Sequence, residues 1–273
     1  MTDTIDSRQQ KARRLRELHR PGEPLVLANV WDAAGARLVA AAGAQAVATA
    51  SASVSWTLGS ADGDAADRDE VLAQTARVVR SVGLPVTADL ETGFGATAAD
   101  VGGTVAALLA TGAVGVNLED AARPADEAAE RIAAARAAAT AAGVDLFING
   151  RTDVFLHQIG DPAGRLAEAV ARLRAYVEAG ADGVFVPGVA DPETIAALVA
   201  AVPAPLNVLA GPGSPSVPEL AKLGVARVSL GPGLAKVAYA AVRRAAGEVY
   251  GAGTYTALDG GLTYQELNAL AEG

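Results

Sequence analysis

The segment PVTADLETGFG (85–95) closes an apolar run with two carboxylates, Asp89 and Glu91, followed by two glycines, Gly93 and Gly95. Residues two apart on a strand share a face. The spacing therefore predicts two acids emerging together where a strand meets a Gly-rich loop. VGVNLE (114–119) ends in another acid, Glu119, with Asp120 behind it. Buried like charges repel unless a cation lies among them. Oxygen donors with few imidazoles suit Mg2+ or Mn2+ rather than zinc. DLFINGR (145–151) adds one arginine, Arg151, and a guanidinium grips a carboxylate through two parallel hydrogen bonds. Hydroxyls and amides around Thr49, Ser51 and Ser53 offer a second hold on the same carboxylate. These parts fit a 2-oxo or 2-hydroxy acid chelating a metal, which stabilises an enolate as the bond to the next carbon breaks.

Plainer uses exist for each group. An acid at a strand end also fits a cap on the following helix. Arg151 and Asp153 fit a simple ion pair. The two GPG turns, 211–213 and 231–233, fit phosphate binding or plain helix entry. With no Lys or Arg beside them, helix entry is the expectation. His157 reads as a solvated loop histidine, and Trp31 as pocket wall or core.

The elements that must position these groups repeat along the chain. Strand-like runs are read at 25–30, 46–51, 85–91, 114–119, 145–151, 183–188, 205–210 and 226–231. Helix-like stretches fall between and after them, at 32–42, 69–82, 97–111, 125–142, 162–179, 192–201, 217–223 and 234–250. Many helices stop on a glycine just before the next strand, the position where glycine ends helices. The strands are continuous aliphatic runs, the mark of a parallel sheet buried on both faces. Eight such units predict an α/β (β/α)8 TIM barrel over residues 1–273, with its chemistry at the C-terminal ends of the strands. A basic helix, Ser7 to Arg20, lies within an N-terminal segment 1–22 and reads as a solvated face or a subunit contact. A C-terminal extension, 254–273, carries a further helical segment from Tyr264 to Leu270. The longest insert, Val54 to Arg68, follows the second strand.

Composition narrows the function. The chain has 273 residues, formal net charge -9 and no cysteine. That removes thiolate metal sites and a Cys nucleophile, and it fits a reducing, cytoplasmic setting. The negative charge argues against nucleic acid. No apolar run is long enough to predict a membrane span.

The segments NVWDAAGARL, LGSADGD (58–64), TADLETGFG, GAVGVNLED (112–120), NGRTDVF (149–155) and GADGVFVPG (180–188) together resemble the isocitrate lyase / phosphoenolpyruvate mutase superfamily. The resemblance implies a (β/α)8 barrel, a homo-oligomer (dimer or tetramer) and Mg2+-dependent chemistry on small carboxylates. It implies Asp89 nearest the metal, with Asp62, Glu91 and Glu119 holding it largely through water. It implies Arg151 as the arginine that binds the substrate carboxylate, and Thr49, Ser51 and Ala52 in the substrate loop. Arg151, Asp62 and Glu119 would then be the catalytic set. Asn207 is the one obvious polar candidate on a later strand. The Lys-[Lys/Arg]-Cys-Gly-His loop of isocitrate and methylisocitrate lyases is absent; DAARPADEAAERI follows the fourth strand instead. The gating-loop lysine of the phosphonate mutases is absent too. Short-loop members include oxaloacetate decarboxylases. The expectation is a Mg2+-dependent lyase that cleaves a C–C bond of a small 2-oxo or 2-hydroxy carboxylate. The alternatives are a P–C mutase or hydrolase acting on a phosphonate, and a non-catalytic protein that binds a metal and a 2-oxo acid.

Overall fold

A computed structural model describes residues 5–272. Residues 1–4 and 273, the outermost parts of the expected N- and C-terminal segments, lie outside the described residues. Eight short aliphatic strands form one parallel sheet: β1 (Leu25–Leu27), β2 (Val47–Ala48), β3 (Val86–Asp89), β4 (Gly115–Glu119), β5 (Phe147–Arg151), β6 (Gly183–Val186), β7 (Leu206–Leu209) and β8 (Arg227–Ser229). Neighbours in sequence are neighbours in space, and β8 pairs with β1 through Leu25 and Arg227. A parallel bridge between Val30 and Thr49 joins β1 to β2 and closes the ring. The result is a (β/α)8 barrel, as the repeat predicts.

The helices are α1 (Ile5–Glu17), α2 (Ala33–Ala41), α3 (Ser51–Thr57), α4 (Arg68–Ser81), α5 (Ala98–Ala110), α6 (Ala125–Ala141), α7 (Arg165–Glu178), α8 (Pro192–Ala201), α9 (Val217–Lys222), α10 (Gly233–Gly251) and α11 (Tyr264–Glu272). Several acids do serve as caps. Asp32 accepts from the Gly35 amide at 2.6 Å, Asp67 from the Glu70 amide at 3.0 Å and Asp191 from the Thr194 amide at 2.8 Å. Each satisfies an amide that the first turn leaves without a partner.

Two expectations need correction. The run 46–51 does not stay extended. β2 is only Val47–Ala48, and Ser51 begins α3 inside what reads as a strand end and insert. The basic helix is not simply a solvated face. Ala12, Leu15 and Leu18 of α1 and its exit are buried and plug the N-terminal end of the barrel. Arg16 pairs with Asp145 at 2.6 Å and Asp182 at 2.8 Å, which locks α1 to the loops before β5 and β6. His19 stacks on Phe147 with ring centroids 3.8 Å apart and contacts the Leu15 carbonyl through Nδ1 at 2.8 Å.

Candidate active site

At the C-terminal ends of the strands lies a cavity of about 810 Å3. Ser51, Ala52, Asp62, Asp89 and Arg151, all candidates from sequence, line it, together with Asn29 and Asn117. Asp89 is the last residue of β3. Its amide donates to Thr49 Oγ1 at 3.0 Å, so the Thr49 hydroxyl serves the Asp89 backbone and lies behind the cavity wall. Its Oδ2 receives a long contact from the Ser51 amide at 3.4 Å. Its Oδ1 is buried and has no hydrogen-bond partner among the described residues. Such an orphaned carboxylate oxygen is costly unless something outside the protein satisfies it.

Glu91 does not continue the strand beside Asp89. β3 ends at Asp89, and Glu91 sits in the next turn with φ 52°. Left-handed backbone is uncommon for a non-glycine residue and costs on the order of 1–3 kcal/mol. It turns the Glu91 carboxylate toward the Asp64 amide, which donates to it, and toward Ser55 Oγ at 3.5 Å. Asp64 is itself left-handed at φ 56° and accepts from the Thr92 hydroxyl. The 58–64 insert is thus clipped onto the turn after β3, and that clip delivers Asp62 to the cavity. The sequence offered no sign of Asp64's part in this.

Glu119 ends β4 and pairs with Arg151 across the β4–β5 ladder at 2.5 Å. Arg151 also donates through Nε to Asp153 at 2.7 Å. The plain Arg151–Asp153 ion pair is therefore present, yet Arg151 still lines the cavity. Its Nη2 carries no hydrogen bond among the described residues and remains available to a bound anion. The guanidinium carbon lies 5.7 Å from the centre of the Phe185 ring, which fixes its plane. Asp120 turns away from the cavity. It accepts from Thr152 Oγ1 at 2.7 Å, Tyr176 OH at 2.8 Å and Arg172 Nη1 at 3.2 Å, tying β4 to β5 and α7.

Charge crowding marks this end of the barrel. Burial raises the Asp62 carboxyl, and Asp89 adds to the effect. Burial pushes Glu91 up to about 7, with Asp62, Asp64 and Asp89 adding to it against the Asp64 amide. Burial pushes Glu119 up to about 9 against the pull of Arg151, with Asp89, Asp153 and Glu91 adding repulsion. Burial opposes the charge on Arg151, but Glu119, Asp153 and Asp89 hold its pKa above the ordinary value. A divalent cation would relieve this repulsion.

The donor set meets that demand in one particular way. Among the described residues, no three or more Asp, Glu or His side chains converge as a ready-made metal cage. Instead one acid, Asp89, offers a free oxygen; Asp62 lines the cavity with it, while Glu91 and Glu119 stand outside the lining, engaged with the Asp64 amide and with Arg151. That arrangement fits Mg2+, which keeps several of its waters and takes few carboxylates directly.

Asn207 lies inside the barrel and does not line the cavity. Ser229 Oγ donates to its Oδ1 at 3.2 Å. Beside it stands a buried cation. Arg227, fully buried on β8, donates to Ser229 Oγ at 3.1 Å and to Asn117 Oδ1 at 3.2 Å. Burial lowers its pKa to about 10, with Asp89 pulling the other way. Its alternation with Ser229 was the available signal, since residues 227 and 229 must share a face. Lys236, in the first turn of α10, also reaches the cavity. This corrects the expectation that no cation stands near the GPG turns.

Comparison with known proteins follows the same outline. The family described as Phosphoenolpyruvate phosphomutase matches residues 15–250. A Burkholderia cenocepacia structure described as a phosphonomutase is 48% identical, covers 86% of this chain and 98% of its own, and superposes with TM-score 0.83. The structure of oxaloacetate acetylhydrolase with its product oxalate is 28% identical over 95% of this chain and 93% of its own, with TM-score 0.84. Phosphonopyruvate hydrolase in complex with oxalate and Mg2+ is 26% identical over 96% of this chain and 95% of its own, with TM-score 0.83.

Proposed function

The chain belongs to the phosphoenolpyruvate phosphomutase family of enzymes, and from that premise we propose that it is a Mg2+-dependent lyase acting on a 2-oxo or 2-hydroxy carboxylate. One observation carries this reading: Asp89 presents a buried, unpartnered oxygen in the same cavity as the guanidinium of Arg151. Asp89 would hold the ion directly, and Asp62, Glu91 and Glu119 would hold its waters. The bound cation supplies Lewis-acid stabilisation of the charge that the breaking bond leaves on the substrate. The similarity to enzymes solved with oxalate, one of them with Mg2+, supports a chelating two-oxygen head group.

The chain's own residues bind and orient. Arg151 Nη2 takes the substrate carboxylate, while Glu119 and Asp153 stop the guanidinium from swinging. Ser51 and Ala52 open α3, and first-turn amides have no acceptor within their helix. They suit the same carboxylate. In a decarboxylation the C3–C4 bond breaks and its electron pair delocalises through C3 onto the C2 oxygen. Carbon dioxide leaves, and C3 then takes a proton from water, so no dedicated acid is required. The short connection after β4 agrees with that economy. A second reading, P–C chemistry on a phosphonate, is favoured by the similarity to a protein described as a phosphonomutase and to phosphonopyruvate hydrolase. Against it, the cavity lining has only two cations, Arg151 and the exposed Lys236, to meet a phosphonate dianion.

Pyruvate, oxalate and phosphate release from oxaloacetate, methylisocitrate, 2,3-dimethylmalate and phosphonopyruvate, with and without Mg2+, separates the readings. The account expects Mg2+-dependent release from a C–C substrate and none from the phosphonate. Turnover of the phosphonate alone would replace this reading with the second. Tight oxalate binding without turnover of any compound would favour a non-catalytic binding protein.

The crowded acids also predict a pH dependence. Glu91 has an ordinary pKa of 4.5 and is pushed up to about 7 by burial. A group raised on folding contributes stability that is complete below its unfolded value and is lost as pH climbs through the folded one. Buried His19, lowered to about 3, works the opposite way below its ordinary 6.5, so the metal-free protein should lose thermal stability between about pH 6.5 and pH 8, and saturating Mg2+ should recover more at the higher pH. Scanning calorimetry in EDTA and in MgCl2 checks this. A metal-free Tm that rises across the interval would contradict it.

A further inference from the structure

We propose that the acid taken by this site carries an apolar substituent, alkyl or aryl, that points away from the chelating head; the inference rests on the head-group reading above. A cavity of about 810 Å3 is the size that holds a drug-sized ligand, far more room than a head group needs. Its two ends differ in chemistry. Asp62, Asp89 and Arg151 crowd one end, beneath α3 and beside β3 to β5. The side built after β5 to β8 and by α10 is walled by Leu156, Pro187, Val189, Leu209, Leu230 and Val237, with Leu156 and Val237 exposed at the mouth.

Several donors of that second end are already spent within the protein. The amide of Ala210 donates to the Ser229 carbonyl at 2.9 Å, and the amide of Gly211 to Ser214 Oγ at 3.1 Å. The amides of Leu230 and Gly231 both donate to Asn29 Oδ1, at 2.9 and 3.0 Å. The amide of Gly233 donates to the Leu230 carbonyl at 3.1 Å. Pro187, Pro212 and Pro232 have no N–H to give. The GPG turns therefore spend most of their donors inside the protein, although the amides of Gly213 and, after β6, of Gly188 and Val189 carry no hydrogen bond among the described residues. Lys236 is the one cation at this end among the described residues, and it is exposed at the rim. A carboxylate moved to this wall would give up water for few fixed partners. An apolar group gains wherever it removes the wall from water.

The backbone is built to bring the wall together. Gly188 has φ 87°, and a Cβ there would lie 2.8 Å from the Leu156 amide nitrogen. Only glycine lets the loop after β6 touch the loop after β5, and that contact carries Leu156 to the cavity.

Calorimetric titration of the full-length protein in MgCl2 tests the proposal. The ligands are oxalate, pyruvate, 2-oxobutanoate, 2-oxohexanoate, 4-phenyl-2-oxobutanoate and 2-oxoglutarate. Affinity is expected to climb about threefold per added methylene along the alkyl series. 2-Oxohexanoate should bind about tenfold or more tighter than 2-oxoglutarate, which has similar length but a distal carboxylate. Lys236→Met should leave that order unchanged. A flat alkyl series with oxalate still binding would overturn the apolar substituent alone. So would tightest binding of 2-oxoglutarate that Lys236→Met abolishes. Loss of Mg2+-dependent oxalate binding in the native protein would overturn the head-group reading and this inference together.

Discussion

Asp89→Ala is expected to lower kcat/KM by about 1000-fold or more on any substrate the panel identifies, while the protein stays folded. The effect is large because Asp89 is the one acid that combines a buried, unpartnered oxygen with a place in the cavity wall. The others are already engaged: Glu91 with the Asp64 amide and Ser55, Glu119 with Arg151. They cannot turn to the ion without breaking those contacts. Stability should change little, because the Asp89 carboxylate has only a 3.4 Å contact from the Ser51 amide to lose. Its removal also relieves repulsion on Asp62, Glu91 and Glu119, while the buried Arg227 loses a favourable charge. Steady-state kinetics with thermal unfolding on the same preparation checks both halves. Unchanged turnover would remove Asp89 from the site.

Arg151→Lys is the second large effect, about 100- to 1000-fold in kcat/KM. The substitution keeps the charge and discards the fork. In the native protein Nη1 holds Glu119, Nε holds Asp153 and Nη2 is left for the ligand. A lysine ammonium can approach one partner closely but cannot keep three fixed directions. KM should rise as well as kcat fall, since the carboxylate grip is made in the ground state too. Oxalate affinity should drop in parallel. A lysine variant with native KM would show that Arg151 is structural, bound to Glu119 and Asp153 and nothing more.

Much of the architecture was legible because burial on both faces leaves a strong trace. Runs such as VGVNLE and GVFVPG, each preceded by a helix stopped on glycine, permit little other than parallel strands. Asp89 and Arg151 stood out because a barrel exposes the ends of its strands, whereas Asp62, in the insert after β2, stood out only through the family resemblance. The misses have physical causes. SASVSWT suits a strand or a helix locally, and only the packing around Val54 and Ser55 decides that α3 forms. Glu91 was placed beside Asp89 because alternation assumes an extended backbone, whereas its φ of 52° breaks the period. Arg227 was overlooked because a charged side chain in an aliphatic strand reads as outward-facing. Here Asn117 and Ser229 accept it inside the barrel. The basic residues of α1 drew attention from Ala12, Leu15 and Leu18, the apolar stripe that plugs the barrel.

Diffraction at the manganese edge from crystals soaked in MnCl2 and oxalate locates the ion and its ligands. The account predicts one strong anomalous peak in the cavity, with Asp89 Oδ1 as a direct ligand and waters between the ion and Asp62, Glu91 and Glu119. Oxalate should lie on the ion with Arg151 Nη2 at hydrogen-bond distance. A peak bound elsewhere, or no peak while oxalate still binds, would contradict the account.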